Sequence, residues 1–456
     1  MDLSNNTEVP RISRSVREHL DAVLELAQGY HRTAETVPIR AAARRVLAED
    51  VHAPWDIPRF AQSAMDGYAV RFADLAAFPD GLPVSAEIFA GQVPAPLAPG
   101  TAARIMTGAA VPPGADTVVP FEQTHTRPGF PESSLPRCHP DDSCCHPDES
   151  QDPPEYIRTQ PGKDTTDLPC PEETLSGPLV TADNPVSGAN IRFAGEDVHS
   201  GDLVLTAGTR LEPRHLGAAA ALGMDAVSVV RRPSVAVITT GDELLPAGEA
   251  PGAAQIIDSN GPYLVGALTH AGAVVTPFNC PDDPVCFQDI MDQASAYDLI
   301  VITGGASVGD RDVARDVLGR HGCEFVSVRM QPGKPQGAGR WEGRTPVLSL
   351  PGNPVSVAVS FSVFVRPLLD SMLGADPARP LWGTVSHGWR SIPKRTQFYP
   401  VRAESTPTGL LVEPATPKGA GSHLVTSLTR ATHFAVVPES VIDVTEGDVL
   451  SLLRLD

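Results

Sequence analysis

Apolar residues at Val16, Leu20, Val23 and Leu24 repeat at helical spacing after a polar tail, residues 1–13. Ser15 with Glu18 three positions on supplies a capping box, so the pattern predicts a helix beginning there. Residues 39–48, IRAAARRVLA, predict a second short helix. From Val51 to Gln123 the pattern changes to short apolar runs broken by Pro and Gly, which predicts a β-rich domain. Short strands and an Ala-rich helix return between Asn190 and Leu222, and Arg231, Arg232 and Pro233 mark a boundary.

Beyond that boundary the apolar runs lengthen. SVAVITT (234–240) has a buried-strand pattern and ends in GDEL; DLIVIT (298–303) ends in GGASVGD; PVLSL ends in PGNP. The last leads into a helix predicted from Pro354 to Leu373, with Pro354 suited to its first turn and Asn353 to its cap. Strand, loop and helix repeated three times predict an α/β sheet. After Asp376 strand-like pieces with turn signals predict a small β-barrel or sandwich.

Composition alters this picture in one place. Over residues 127–189 Pro recurs every few positions and acidic residues outnumber basic ones about threefold, the pattern of a disordered insertion. Cys138, Cys144, Cys145 and Cys170 lie within it, at spacings that fit no standard zinc finger, so a flexible acidic loop is the expectation. Seven Cys without an export signal predict free thiols rather than a disulfide framework. A formal net charge of −20 argues against general nucleic-acid binding. No signal peptide or membrane span is read from the chain, and the expectation is a cytoplasmic protein.

In open α/β sheets ligands bind beyond the carboxyl ends of the strands, and here those ends carry Gly-rich loops. Gly304, Gly305 and Gly309 allow close backbone approach to a ligand, Ser307 adds a hydroxyl, and the following helix offers N–H groups to a phosphate. Asp242, Glu243, Asp258, Asp282, Asp283, Asp310 and Asp312 gather at the same ends. Oxygen donors in that number fit magnesium bridging to a substrate phosphate; singly, each also fits a helix cap or solvated turn. Glu243 and Asp312 are the expected metal ligands. Lys334, in the turn-rich MQPGKPQG, can aim a cation into the cleft. Walker, GxGxxG, serine-hydrolase and HExxH motifs are all missing.

Taken in order, SAMDGYAV (63–70), IMTGAAVPPGADTVVPFE (105–122), NIRFAGEDV (190–198), TTGDEL (239–244), DSNGPYL (258–264), TGGASVGDRD (303–312), PGKP (332–335) and LPGNPVS (350–356) resemble the signature blocks of MoeA-type molybdopterin molybdenumtransferases, the family of the gephyrin E domain. The likeness spans nearly the whole chain apart from the tail and the insertion. It implies a multidomain α/β plus β protein. A discontinuous elongated N-terminal domain (14–50 and 198–230) would carry an inserted β domain (51–197). A MogA/MoaB-like three-layer α/β molybdopterin-binding domain (231–376) and a C-terminal β-barrel-like domain (377–456) would follow.

The resemblance further implies a homodimer in which Asp66, Thr107 and Asp197 act in trans. The implied substrates are molybdate and adenylylated molybdopterin, with magnesium as cofactor. Metal handling and catalysis would fall to Asp66, Asp197, Glu243, Asp282, Asp312 and Lys334. Substrate binding would involve Thr107, Gly108, Thr240, Gly241, Asp242 and Asp258, then Gly304, Gly305, Ser307 and Gly309, then Pro351, Gly352, Asn353 and Ser422. A molybdopterin adenylyltransferase, and molybdoenzymes or their chaperones, are the implied partners. The chain departs from the family where Gln331 and Pro400 stand in place of frequent Lys and Arg, and where FAQS (60–63) replaces the usual FDNS. Arg395 and Arg402 are the nearby guanidinium groups able to grip an oxyanion instead. A carrier or scaffold that holds molybdopterin without inserting metal is the alternative that Gln331 and Pro400 raise; the set of acidic positions argues against it.

Overall fold

The computed structural model describes residues 12–126, 178–305, 313–377, 379–417 and 419–455. The chain divides into two compact units, one made of the residues up to Val51 together with those from Val204 onward, the other His52–Leu203.

The first unit is built on a seven-stranded sheet. Val274–Cys280, Ser234–Thr240, Leu299–Thr303 and Thr345–Leu350 lie side by side and parallel. Pro335–Trp341 follows antiparallel, and Glu324–Val328 and the short edge strand Ser13–Arg14 complete the sheet. Alternation along each strand divides the core in two. Val235 and Val237 pack with the helices Asn260–Ala271 and Pro354–Leu373, whereas Ala236 and Ile238 pack with Pro284–Ala294 and Val313–Arg320. Strands buried on both faces read as continuous apolar runs, which is why SVAVITT and DLIVIT stand out in the sequence.

The first of these cores extends beyond the sheet's own helices. Val23 and Val46 from the start of the chain, Val230, and Phe398 and Phe434 from its end belong to the same apolar cluster. Ser15 caps the helix Val16–Leu24 through a capping box with Glu18, and this helix presents Val23 and His19 to that cluster. Arg32 and Arg210 reinforce the junction. Arg32 donates to the carbonyls of Ser371 and Met372 at the end of the helix Arg366–Leu373, and Arg210 donates to the Ala271 carbonyl and to Asp370. Cations there complement the partial negative charge of helix carboxyl ends.

The helix from Pro354 contains a π-helical turn, Phe361–Val365, between the α segments Pro354–Ser360 and Arg366–Leu373. Pro367 has no N–H for the preceding turn and its ring crowds that turn, which accounts for the widening. By length and hydropathy this helix could cross a membrane, but 72% of the relevant window is buried inside the protein, as a central core helix should be. The helix expected over 39–48 does not form. Only a 3-10 turn, Ile39–Ala41, is present; Arg44 has φ +64°, and the amides of Arg44 and Leu47 bond to Leu211 and Thr209. Val46 and Leu47 are fully buried as bridges to Arg210 and Val229, so tertiary pairing overrides the local helical preference.

Toward the end of the chain, Thr396–Thr406, Gly409–Pro414, Leu381–Val385, Val449–Arg454 and His433–Val437 pair in turn, and the last returns to the first to close a five-stranded barrel.

The second unit holds a six-stranded sheet in the order Thr117–Pro120, Gly67–Val70, Ala102–Ile105, Leu82–Ile88, Leu179–Ala182, Thr124–Thr126. Leu179–Ala182 corrects the expected extent of the insertion: it is a regular strand, paired on both sides, with Val180 buried. With only Val180 and Thr181 as β-forming residues, it is hidden in the sequence by the Pro-rich run before it. The cysteines of the insertion lie outside the described residues.

Candidate active site

The four parallel strands end side by side at Cys280, Thr240, Thr303 and Leu350, and each end opens into a Gly-, Pro- or acid-rich loop. The loops nest closely. Gly304 has φ +109°, and a Cβ there would stand 2.4 Å from the carbonyl oxygen of Thr240. Gly241 has φ +148°, and a Cβ there would meet the Glu243 carboxylate at 2.6 Å. Position 304 therefore requires glycine for steric and conformational reasons, and position 241 for its backbone conformation, since the Glu243 side chain can move aside.

The acidic residues separate into two groups. Asp258, largely buried, accepts the N–H groups of Asn260 and Gly261 at 2.9 and 3.0 Å, and Asp283 accepts those of Val285 and Cys286 at 3.1 and 2.8 Å. Both act as helix caps, which gives each a structural duty independent of any ligand. Asp242 instead accepts the N–H of Asp282 at 3.0 Å. Burial pushes the Asp282 carboxyl above its ordinary range; a hydrogen bond from the Asp242 backbone opposes the shift, and the charges of Asp242 and Glu243 add to it. Three carboxylates thus share one negative field at the ends of adjacent strands. Among the described residues, no three side chains of metal-binding type converge as a preformed cage. Ser307, Gly309 and Asp312 lie outside the described residues.

Beside these loops lies a cleft of about 210 Å³ lined by Gln331, Lys334, Gly352, Asn353, Ser356 and Ser422, among others. Lys334 is exposed in it. Pro354 occupies the first turn of its helix as expected, but the Asn353 side chain makes no cap hydrogen bond. The Ser422 carbonyl accepts the Val355 N–H at 2.9 Å, so the loop carrying Ser422 covers the helix start. Of the two guanidinium candidates, Arg395 reaches the cleft lining, donating to Gln331 Oε1 at 3.1 Å. Arg402 is exposed and stands 3.8 Å from Glu404, while Pro400 is buried in its barrel strand opposite Phe434.

In the second unit Asp66 and Thr107 come together. Asp66 Oδ1 accepts the Thr107 N–H at 2.6 Å and its hydroxyl at 2.7 Å, bonds that hold the carboxyl below its usual range. Gly108, with φ +79°, donates to the Ser63 carbonyl at 2.8 Å. Asp197 is exposed, and its N–H bonds to the Ile57 carbonyl at 2.9 Å.

Comparison with known proteins places this geometry. Family models for the MoeA N-terminal region (domain I and II), a probable molybdopterin binding domain and the MoeA C-terminal region (domain IV) match residues 14–223, 236–371 and 383–455 in succession. Molybdopterin molybdenumtransferase 2 of Mycobacterium tuberculosis (strain H37Rv) is 37% identical over 97% of this chain and 100% of its own length. The chain belongs to the MoeA family.

Another relative of this MoeA-family chain, the molybdopterin molybdenumtransferase of Synechococcus elongatus, is 32% identical over 89% of the chain and 90% of its own length. A molybdopterin biosynthesis moeA protein from Pyrococcus horikoshii OT3 superposes with a TM-score of 0.73 at 26% identity, over 96% of this chain and 99% of its own. Molybdenum cofactor biosynthesis is thus the process in which the chain takes part. One residue of its strand-end loops escaped the sequence reading. Asn260, two positions after Asp258, donates through Nδ2 to Thr303 Oγ1 at 3.1 Å and to the Gly352 carbonyl at 2.7 Å. The sequence marks Asn260 only as a polar residue at a helix start, after Asp258 and Ser259, and says nothing of its partners.

Proposed function

We propose that this chain inserts molybdenum from molybdate into adenylylated molybdopterin and releases AMP. The observation that carries the proposal is the juxtaposition, through Gly352 and Gly304, of the carboxylate-bearing strand ends with the cleft lined by Lys334, Ser422 and Gln331, the last bonded to Arg395. One side of this arrangement offers N–H groups and glycine backbone to a diphosphate; the other offers cations and hydroxyls to a tetrahedral oxyanion. Holding both substrates in one cleft supplies proximity, which can contribute several kcal/mol toward the reaction barrier, on the order of 7–11 in the best-oriented cases.

A carboxyl raised by burial and, further, by the neighbouring charges of Asp242 and Glu243 suits a hard divalent cation. Glu243 and Asp312 would hold magnesium, which would supply charge screening of the diphosphate. Asp282 would sustain the negative field, and Lys334 would pair with the oxyanion.

We further propose that the working form is a cytoplasmic homodimer, in which Asp66, Thr107 and Asp197 serve the cleft of the second copy. In support, Phe60, Met65 and Phe193 are all exposed near Asp66, where the antiparallel pairing of Gln62–Ser63 with Ile191–Arg192 gathers them. An apolar group of this kind favours burial against another protein surface. Delivery of the product to molybdoenzymes or their chaperones, and supply of substrate by an adenylyltransferase, complete the reading.

The test is AMP release from adenylylated molybdopterin by purified protein with magnesium, with and without molybdate. Molybdate-dependent release with molybdenum in the pterin product is the expected result. Tight pterin binding without release would overturn the reading in favour of a carrier.

A further inference from the structure

The two loops that meet at the site have little side-chain material between them. A Cβ on Gly352 would lie 3.5 Å from the Cα of Gly304, so the loops after Leu299–Thr303 and Thr345–Leu350 approach backbone to backbone. Glycine contacts leave lateral sliding poorly resisted, because neither residue supplies a side chain to interlock. Directional bonds have to fix the register instead.

Asn260 provides them from a third element. One carboxamide group donates to both loops, to Thr303 Oγ1 at 3.1 Å and to the Gly352 carbonyl at 2.7 Å. The buried Thr303 hydroxyl also points to the Pro351 carbonyl at 3.4 Å, closing a small network. Asn260 is itself held, since Asp258 Oδ1 accepts its backbone N–H at 2.9 Å. Asp258 is therefore the anchor, Asn260 the bracket, and the two loops are what the bracket spans.

We propose that Asn260 is a positioning residue that sets the gap between the Gly304 loop and the Pro351–Gly352 loop, and thereby the separation between the phosphate end of the substrate and the oxyanion cleft. This rests on the transferase reading above. In that reading each substrate binds mainly to its own loop, so a mis-set gap leaves separate binding intact and impairs the reaction between them.

The variants are Asn260→Asp, which keeps the shape but loses the Nδ2 donors, and Asn260→Ala. In both, kcat for molybdate-dependent AMP release should fall about 10- to 100-fold, the scale of a misplacement of roughly 1 Å. KM for molybdate and for adenylylated molybdopterin should stay within about threefold. A raised KM with unchanged kcat would make Asn260 a ligand-binding group, and unchanged kinetics would remove it from the site; either result overturns the proposal. Hydrogen–deuterium exchange on the same full-length proteins gives a readout that does not depend on turnover. The amides of the Thr303 and Gly352 loops should exchange several-fold faster in both variants while those of the barrel are unchanged, and equal exchange in these loops would overturn the bracket even if the wild-type protein released no AMP.

Discussion

Arg395 donates through Nη1 to the side-chain oxygen of Gln331 at 3.1 Å, bringing a guanidinium behind a residue that lines the cleft with Lys334 and Ser422. The relationship bears on the departure at position 331. A neutral amide there does not leave the wall without charge, because it engages a cation from the barrel. Arg395→Ala should raise the molybdate concentration needed for half-maximal AMP release at least tenfold, in line with about 1.5–3 kcal/mol for a hydrogen bond to a charged group. Arg402→Ala should leave it within twofold. Equal effects of the two substitutions would remove Arg395 from the oxyanion site.

Glu243→Gln and Asp312→Ala should each lower AMP release at least about 100-fold, on the scale seen when a preorganised electrostatic group is removed from an active site. Thermal unfolding of the Glu243 variant should be nearly unchanged, because a carboxylate in a field of like charge is not a stabilising contact. Normal AMP release by either variant would take that residue out of the mechanism.

Gly304→Ala tests the nesting of the strand-end loops. The new methyl would stand 2.4 Å from the Thr240 carbonyl at a backbone angle few L-residues adopt. Urea titration should show a loss of about 1–3 kcal/mol, the range for strained backbone positions. Unaltered stability would mean that the loops can separate at little cost.

His19 supplies a pH dependence. It is 1% exposed and sits edge-on to Phe364 at 4.7 Å. Burial, helped by the Arg14 charge, lowers its pKa to about 4 from 6.5. The unfolded chain therefore takes up a proton that the folded one resists. The neutral imidazole's contribution is complete above pH 6.5 and is lost as pH falls from 6.5 through 4, by at most about 3 kcal/mol. His19→Leu should flatten the fall in melting temperature between pH 7 and 4.5 relative to wild type. Parallel curves for the two proteins would show that His19 does not titrate on unfolding.

The parts of this molecule legible in the sequence are those where local pattern and tertiary environment agree. Strands covered on both faces announce themselves as SVAVITT and DLIVIT, and the capping box at Ser15 names its own helix. Residues 39–48 misled because Val46 and Leu47 satisfy their neighbours from residues 209–211 and 229 instead of from the preceding turn. At the site, chemical type was readable but duty was not. Asp258 and Asp242 look alike in a string of letters, yet one caps a helix and the other receives the Asp282 amide. Asn260 could not be recognised as a bracket because its partners lie 43 and 92 residues away.

The apolar cluster that joins Val23 and Val46 to Phe398 and Phe434 also sets a timetable for synthesis. The sheet of the unit His52–Leu203 needs only residues from that contiguous stretch, so it can close while the ribosome is still translating the rest. Val23 and Val46, made earlier, must wait for partners encoded several hundred codons later. At elongation rates of roughly 5–20 residues per second that wait is on the order of tens of seconds, and during it the apolar stripe of the first helix is uncovered, a surface of the kind that chaperones shield.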